Sequence, residues 1–313
     1  MSLFPLSAPV NKFGLNYLLT VDSPAFADDL VPQINITYPY TIQFDVVRTN
    51  YAAANTARIR VYNLSKDTQA LLQFDQFIGQ FIPKDYPNLL TVTLQAGYGN
   101  GPNFPVIFTG MVTRSYSVRE GVDFITYIEA FDGGAAYTSA NVSVGPYNKG
   151  TLVSSVVKDI IHKLGPYGVK LGALSSTLDT AITKSVSYSG NAIDLLRDLS
   201  SGNFYIDNQK ANIIFPNECI YTQKALPLDA QSGLLETPVK QEAWLDLKML
   251  FEPRLAVGSI VDVQASTNES YNGTHQVCSI QHTGIISASV GGACITTVGA
   301  VAGIFTSVIQ AVT

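Results

Sequence analysis

The feature that most constrains this chain is a run of strict alternation. From Ile34, apolar or aromatic residues recur at every second position through Ile36, Tyr38, Tyr40, Ile42, Phe44 and Val46. A period of two places such residues on one face of an extended strand, so the run predicts sheet with one side buried. Pro39 cannot donate to a ladder and puts that part of the run at an edge or bulge. Ala57, Ile59 and Val61 repeat the pattern before the turn-prone residues 63–65. Residues 66–77 then read as a short helix, and residues 90–96 as a strand running into the Gly- and Pro-containing loop 97–102. The strongest local signal is residues 106–131, where two long β-rich runs flank the polar turn Arg119, Glu120 and Gly121. Each arm exceeds the usual strand of about 5 or 6 residues.

The middle of the chain changes period. Thr151 is placed to cap a helix whose apolar positions Leu152, Val153, Val156, Val157, Ile160, Ile161 and Leu164 share one face, and Gly165 with Pro166 ends it. A second helix carries Ile193, Leu195, Leu196 and Leu199, is preceded by Asn191 and stops near Gly202. Residues 204–206 and 211–215 flank a polar turn at 207–210, completing a small helix, helix, hairpin unit. Beyond Gly233 the chain returns to strands, with candidates at 244–251, 259–265 and 274–280. No short-period repeat occurs, which argues against a solenoid. The expected fold is mainly β with a smaller α+β part, divided as 1–140, 141–235 and 236–313.

At 313 residues the chain exceeds what a single core usually spans. Only 14% of residues are charged, against roughly 25% in an ordinary soluble domain. A surface so short of charge implies burial against protein partners. The net charge of −5 and the absence of a basic stripe argue against stable nucleic-acid binding. Residues 1–10 have neither a basic flank nor a long apolar core, so they do not read as a secretory signal, and synthesis and assembly in a cytoplasm are expected. From Ile286 to Thr313 there is no charge, yet Gly299, Gly303, Thr306, Ser307 and Gln310 interrupt the apolar run. The part after Gly299 is expected to dock on protein, a neighbouring copy or another subunit, and not on lipid. Truncation at Gly299 is then expected to weaken assembly while leaving the barrels folded.

Chemistry-bearing residues do not converge in the sequence. Cys219, Cys278 and Cys294 are odd in number and widely spaced, which suits buried small apolar groups better than disulfides or zinc ligands. His162, His275 and His282 stand alone, without partners at metal or triad spacing. A glycosidase needs two acids flanking the bond, and the nearest pairs are Asp28 with Asp29, Glu120 with Asp123, and Glu129 with Asp132. Each lies in a predicted loop or at a strand end, where a solvated acid is the simpler reading. No phosphate-cradling Gly-rich loop or nucleophile elbow is present. No catalytic, cofactor or metal site is therefore expected, and the chain reads as a non-enzyme.

In order along the chain, residues 59–65 (IRVYNLS), 92–98 (VTLQAGY), 107–110 (IFTG), Arg119 with Gly121 and Asp123, and 130–133 (AFDG) resemble the first barrel of baseplate hub proteins of contractile-tailed phages. Residues 190–196 followed by the 204–215 hairpin resemble the middle domain of that family. Residues 258–263, 272–277 and His282 with Gly284 resemble its closing strands. The resemblance implies two tail-tube-like antiparallel β-barrels in one chain, related to the base of type VI secretion spikes. It implies a homotrimer forming a pseudo-sixfold ring between a sixfold tube and a threefold spike. Tail-tube or tail-terminal ring proteins above, a spike below, and wedge and tape-measure proteins are the implied partners. DNA only passes through the lumen, no stable membrane binding is expected, and the place of action is the virion baseplate. A tail-tube or distal-tail ring protein is the alternative, and a peptidoglycan hydrolase a more distant one.

Overall fold

A computed structural model describes residues 12–22, 33–51, 54–75, 90–99, 103–220, 225–266, 268–303, 305 and 307–309. Asp28 and Asp29, residues 1–10, and Thr306 and Gln310 of the uncharged segment lie outside the described residues. The first part of the chain contributes β1 (Leu15–Asp22), β2 (Ile34–Thr37), β3 (Ile42–Thr49), β4 (Thr56–Tyr62), α1 (Lys66–Leu72), β5 (Phe74–Asp75), β6 (Thr91–Tyr98), β7 (Val106–Glu120) and β8 (Asp123–Phe131). The alternation that opens the sequence spans two strands. Tyr40 N–H donates to Thr37 O in a turn around Pro39, and Tyr38 and Tyr40 are exposed although they keep the parity of the run. Within β3 the parity holds, with Ile42, Phe44 and Val46 all buried. The predicted helix over 66–77 stops at Leu72, because Phe74 and Asp75 pair with Ser115 and Arg114 of β7. In the long hairpin Glu120 opposes Asp123 across a two-residue turn, with Gly121 at φ +63°. A left-handed residue at the first central position matches the right-handed twist of the arms, and glycine enters it without steric cost.

The middle section adds α2 (Gly134–Ser139), β9 (Asn141–Tyr147), α3 (Val153–Lys163), β10 (Lys170–Leu174), β11 (Val186–Asn191), α4 (Ala192–Leu199), β12 (Phe204–Asp207) and β13 (Lys210–Ile213). Both expected helices and the hairpin are present. The antiparallel β9–β11 ladder, which the sequence reading did not anticipate, frames them. Thr151 does not cap α3: Leu152 occupies the cap with no side-chain bond, and its carbonyl accepts from Ser155 and Val156. Asn191 does cap α4, accepting from the N–H groups of Ile193 and Asp194. Val156, Val157, Ile160 and Ile161 of α3 meet Ile193 and Leu196 of α4 over Phe204, Ile206, Ala211 and Ile213. Full burial of such side chains stabilises by roughly 1.5–3 kcal/mol each before ordering costs.

The last section supplies β14 (Glu218–Ile220), β15 (Leu226–Leu228), β16 (Val239–Gln241), β17 (Trp244–Leu250), β18 (Ile260–Val263), β19 (Gly273–Ile286), β20 (Ile295–Ala302) and β21 (Ser307–Ile309). Two apolar cores result. One gathers Tyr17, Leu19, Phe44, Ile59, Leu94 and Phe108 from the first part; the other gathers Leu228, Leu245, Leu247, Val261, Val277 and Val298 from the last. The fold is mainly β with a smaller helical part, as the sequence implies, and its two β modules are not separate sheets. Among the described residues a single fourteen-stranded sheet, ordered β16-β17-β20-β19-β3-β4-β8-β7-β6-β1-β2 along its main path, covers both cores without closing on itself. The cause is the length of β19. One edge pairs with β18 through residues 273–276 and, past an irregularity at Cys278, with β3 through residues 279–286. One strand thus welds the two β modules edge to edge.

The uncharged C-terminal segment also needs correction. Its residues 295–302 form β20, an interior strand paired with β17 on one side and β19 on the other, with Val298 and Ala300 fully buried. Such a strand needs no charge because neighbours satisfy both of its edges. Among the described residues this segment pairs within its own chain, through β20 and through β21 with β14, and truncation at Gly299 would cut the sheet and not spare it.

Candidate functional site: a buried junction and the polar face of the sheet

Arg48 continues the core parity of Ile42, Phe44 and Val46, so the sequence places a guanidinium where β3 points inward. It is 2% exposed. Its Nε donates to Asp207 Oδ1 at 2.7 Å and its Nη2 to Asp207 Oδ2 at 2.5 Å, while Nη1 lies 3.5 Å from the carbonyls of Ile107 and Leu255. One side chain therefore ties together the first module, the inserted unit and the loop after β17. Burial pulls its pKa down, but Asp207 more than offsets this and holds it above its ordinary value. Asn55 Nδ2 donates to Ile206 O at 2.9 Å, and Thr109 N–H to Asn208 Oδ1 at 2.9 Å. Gln209 N–H donates to Asp132 Oδ1 at 2.8 Å, and Asp132 Oδ2 has no partner. Asn208 and Gln209, at φ +51° and +59°, make the tight turn that seats in the end of the sheet. A Cβ on Gly133, at φ +64°, would stand 2.7 Å from Ile206 Cδ1, so glycine there lets the insert approach.

The candidate residues named from sequence fall elsewhere or take other parts. His282 is fully buried, its Nδ1 2.9 Å from Thr296 Oγ1 and its ring edge-on to Phe251. Burial, with a smaller contribution from Arg48, pushes its pKa down to about 3, so the ring is neutral. His275 bonds the Gly273 carbonyl through Nδ1, and burial lowers its pKa. His162 is exposed on α3. The three cysteines are buried, and burial raises their pKa values. Glu120 accepts from Tyr127 Oη and Asp123 from Asn63 Nδ2 at the solvated hairpin end. Glu129 lies in register with Arg58 and Arg114 on the solvent side, whereas Asp132 is buried in the junction, so this pair shares no surface cleft. Among the described residues no group of three or more His, Cys, Asp or Glu is arranged to hold a metal ion.

Opposite the two cores, the sheet presents a polar face that crosses the weld between modules. Registers align Thr283, Asp45, Arg58, Glu129 and Arg114 in one row, and Ile285, Gln43, Arg60, Tyr127 and Tyr116 in the next. Tyr116 and Tyr127 stack at 5.1 Å, with Arg114 over one ring at 4.5 Å and Arg60 over the other at 5.2 Å. Gln281 Nε2 donates to Asp45 Oδ1 across the weld at 2.9 Å. Toward β17, Trp244 lies on Gly299 and donates to Asp246 Oδ1 at 2.7 Å. Charges of both signs alternate on this face, which suits a wet surface that holds no single polyanion tightly.

Neither the junction nor the face was read from sequence. The available signal was Arg48 at a core-parity position, since a buried arginine demands a partner. Its partner lies more than 150 residues away, and nothing local names it.

Solved structures share this fold. The 43 kDa tail protein of prophage MuSo2 from Shewanella oneidensis superposes with a TM-score of 0.55 at 9% identity, over 91% of this chain and 96% of that one. The tail protein from Neisseria meningitidis MC58 gives 0.58 at 9% identity over 94% and 98%. An E. coli type VI secretion system component, described as structurally similar to the T4 tail proteins gp27 and gp5, gives 0.50 at 8% identity over 85% and 77%. No curated protein matches by sequence. Among the described residues no helix is long and apolar enough to cross a membrane. The model of the baseplate hub gp41 family matches residues 22–285, most of the chain, and the protein accordingly belongs to that family of structural components of phage tail baseplates.

Proposed function

We propose that the protein is the hub of a contractile-tail baseplate, a homotrimer whose three chains present six β modules as a pseudo-sixfold ring. The tail tube stacks on one side, the spike on the other, and DNA passes through a central channel. The observation that carries this reading is the doubling within one chain, where two apolar β cores lie side by side under one continuous sheet. A sixfold tube and a threefold spike share a layer without mismatch when each of three subunits supplies two comparable positions. The reading keeps the division of the chain at 140 and 235, with Leu226 and Leu228 packing into the third unit. The mixed-charge face of the sheet supports a channel lining that DNA crosses without being held. Tube, spike, wedge and tape-measure proteins are the partners in this reading, and assembly takes place in the host cytoplasm.

A role without catalysis agrees with a family of structural tail proteins. Symmetry analysis by electron microscopy of the purified protein, alone and with its spike, tests the hub. Trimers with six density lobes around a channel are expected. Rings of six chains would favour the tail-tube or distal-tail reading, and a monomer even with the spike would refute both. Release of soluble fragments from cell walls, abolished by Glu120→Gln or Glu129→Gln, would establish the hydrolase instead.

A further inference from the structure

The junction counts one guanidinium against two carboxylates in a buried space. Arg48 and Asp132 are 2% and 1% exposed, and Asp207 keeps 11% of its side chain exposed. Arg48 is committed to Asp207 through two donors. Asp132 accepts from Gln209 N–H on one oxygen, and its other oxygen is buried without a hydrogen-bond partner; the Asn208 N–H and Arg48 also favour its charged form, but burial and Asp207 outweigh them. An ionised Asp132 would leave a negative charge there, beside a second carboxylate, with a bare acceptor. A proton on Asp132 removes that charge.

The other groups around the junction offer no better compensation. Tyr137 of α2, raised to about 12 by burial, and Tyr205 of β12, raised further, are neutral phenols. His282 of β19 is neutral and is held by Thr296 and Phe251, both in or beside the sheet. Arg197 of α4 sits over the Tyr137 ring at 5.7 Å and acts on that phenol. The Asn208–Gln209 turn, which closes over Asp132, belongs to the inserted unit, so seating this turn is what buries the carboxyl.

We propose that Asp132 carries a proton while the β12–β13 turn is seated, and that loss of this proton as pH rises through the neutral range loosens the inserted unit from the sheet. The direction follows from linkage. Burial first, then Asp207, pushes the seated carboxyl up to about 7 from an ordinary 3.8, so between these values the seated state holds a proton that the unseated state has lost. Seating is firmest in acid, weakens about tenfold per pH unit across that interval, and levels off above it.

Hydrogen exchange of peptides covering residues 204–213 tests this in the full chain. Wild type and Asp132→Asn are compared at the same pH, so intrinsic exchange rates cancel. Between pH 5.5 and 8 the ratio of their rates should change on the order of 30-fold, with wild type opening faster at pH 8. Asp207→Asn supplies an independent arm that also serves if Asp132→Asn does not fold. Arg48 then turns to Asp132, whose carboxylate stays charged while seated, and the pH dependence of the ratio to wild type should be the same. A ratio that stays constant from pH 5.5 to 8, or an Asp207→Asn protein that titrates like wild type, overturns the proposal.

Discussion

Replacing Arg48 with methionine would test whether the junction is held by an ion pair or only by shape. Methionine retains most of the aliphatic volume but strips Asp207 of both guanidinium donors, leaving the Asn55 amide at 3.2 Å as its remaining side-chain partner. Breaking a buried pair from one side costs about 3–5 kcal/mol, because the surviving charge is left in a low-dielectric site. Asp207→Asn breaks the same pair from the other side, yet here a second carboxylate lies in the field of Arg48. Asp132, ionised at the pH of the assay, can take the place of Asp207, so the expected cost falls to about 1.5–3 kcal/mol, that of a hydrogen bond to a charged group. The double variant should cost less than the sum of the singles by roughly 0.5–3 kcal/mol, since the two residues share one interaction. Urea unfolding at pH 8, followed by far-UV circular dichroism on all four proteins in parallel, reads these differences. A chain with several apolar cores need not unfold in one step, so the transition that carries the junction is the one compared. Equal costs for the two single variants would refute the substitute role given to Asp132. Strict additivity in the double variant would refute the pairing itself.

Three further outcomes follow from other parts of the sheet. Gly121→Val forces a β-branched residue to φ +63° at the hairpin turn, and should reduce ring formation by electron microscopy while far-UV circular dichroism stays near wild type. Gly299→Val would place a Cβ 2.0 Å from Trp244 Cζ2 and 2.5 Å from Ser279 Oγ; overpacking of about 1–3 kcal/mol and a shifted emission from the single tryptophan are expected. His282 refuses a proton in the fold, at about 3, that the unfolded chain accepts near 6.5. Its contribution to stability therefore rises with pH across that window by roughly 1.4 kcal/mol per unit and is flat above it, and His282→Gln should remove that part of the acid slope in pH-dependent denaturation.

What the sequence made legible was whatever a strand or helix declares within its own length. Alternation in Ile42, Phe44 and Val46, the glycine turn between β7 and β8, and the one-sided apolar run of α3 each carry their structure locally. The strand β1 was missed although Tyr17, Leu19 and Val21 alternate and are all buried. Three apolar positions among Asn16, Leu18 and Thr20 make a short signal, and its partners in β6 lie over 70 residues away.

The uncharged segment shows the same limit from the other side. An absence of charge over residues 295–302 has two physical causes, a surface covered by another chain or an interior strand covered by its own. Composition is identical in the two cases, and only the pairing of Trp244 with Val301 and of Gln281 with Thr297 decides between them. Gly299 was the better clue: a glycine inside a strand pattern marks the close approach of something large, and Trp244 is what approaches. The same reasoning applies to Arg48, a charge on the inward face of a strand. Each breaks a local rule, and in each the break marks a long-range contact, one welding β17 to β20 and the other seating the inserted unit on the sheet. Local violations are therefore the places where a one-sequence reading of such a chain should look for contacts between distant segments.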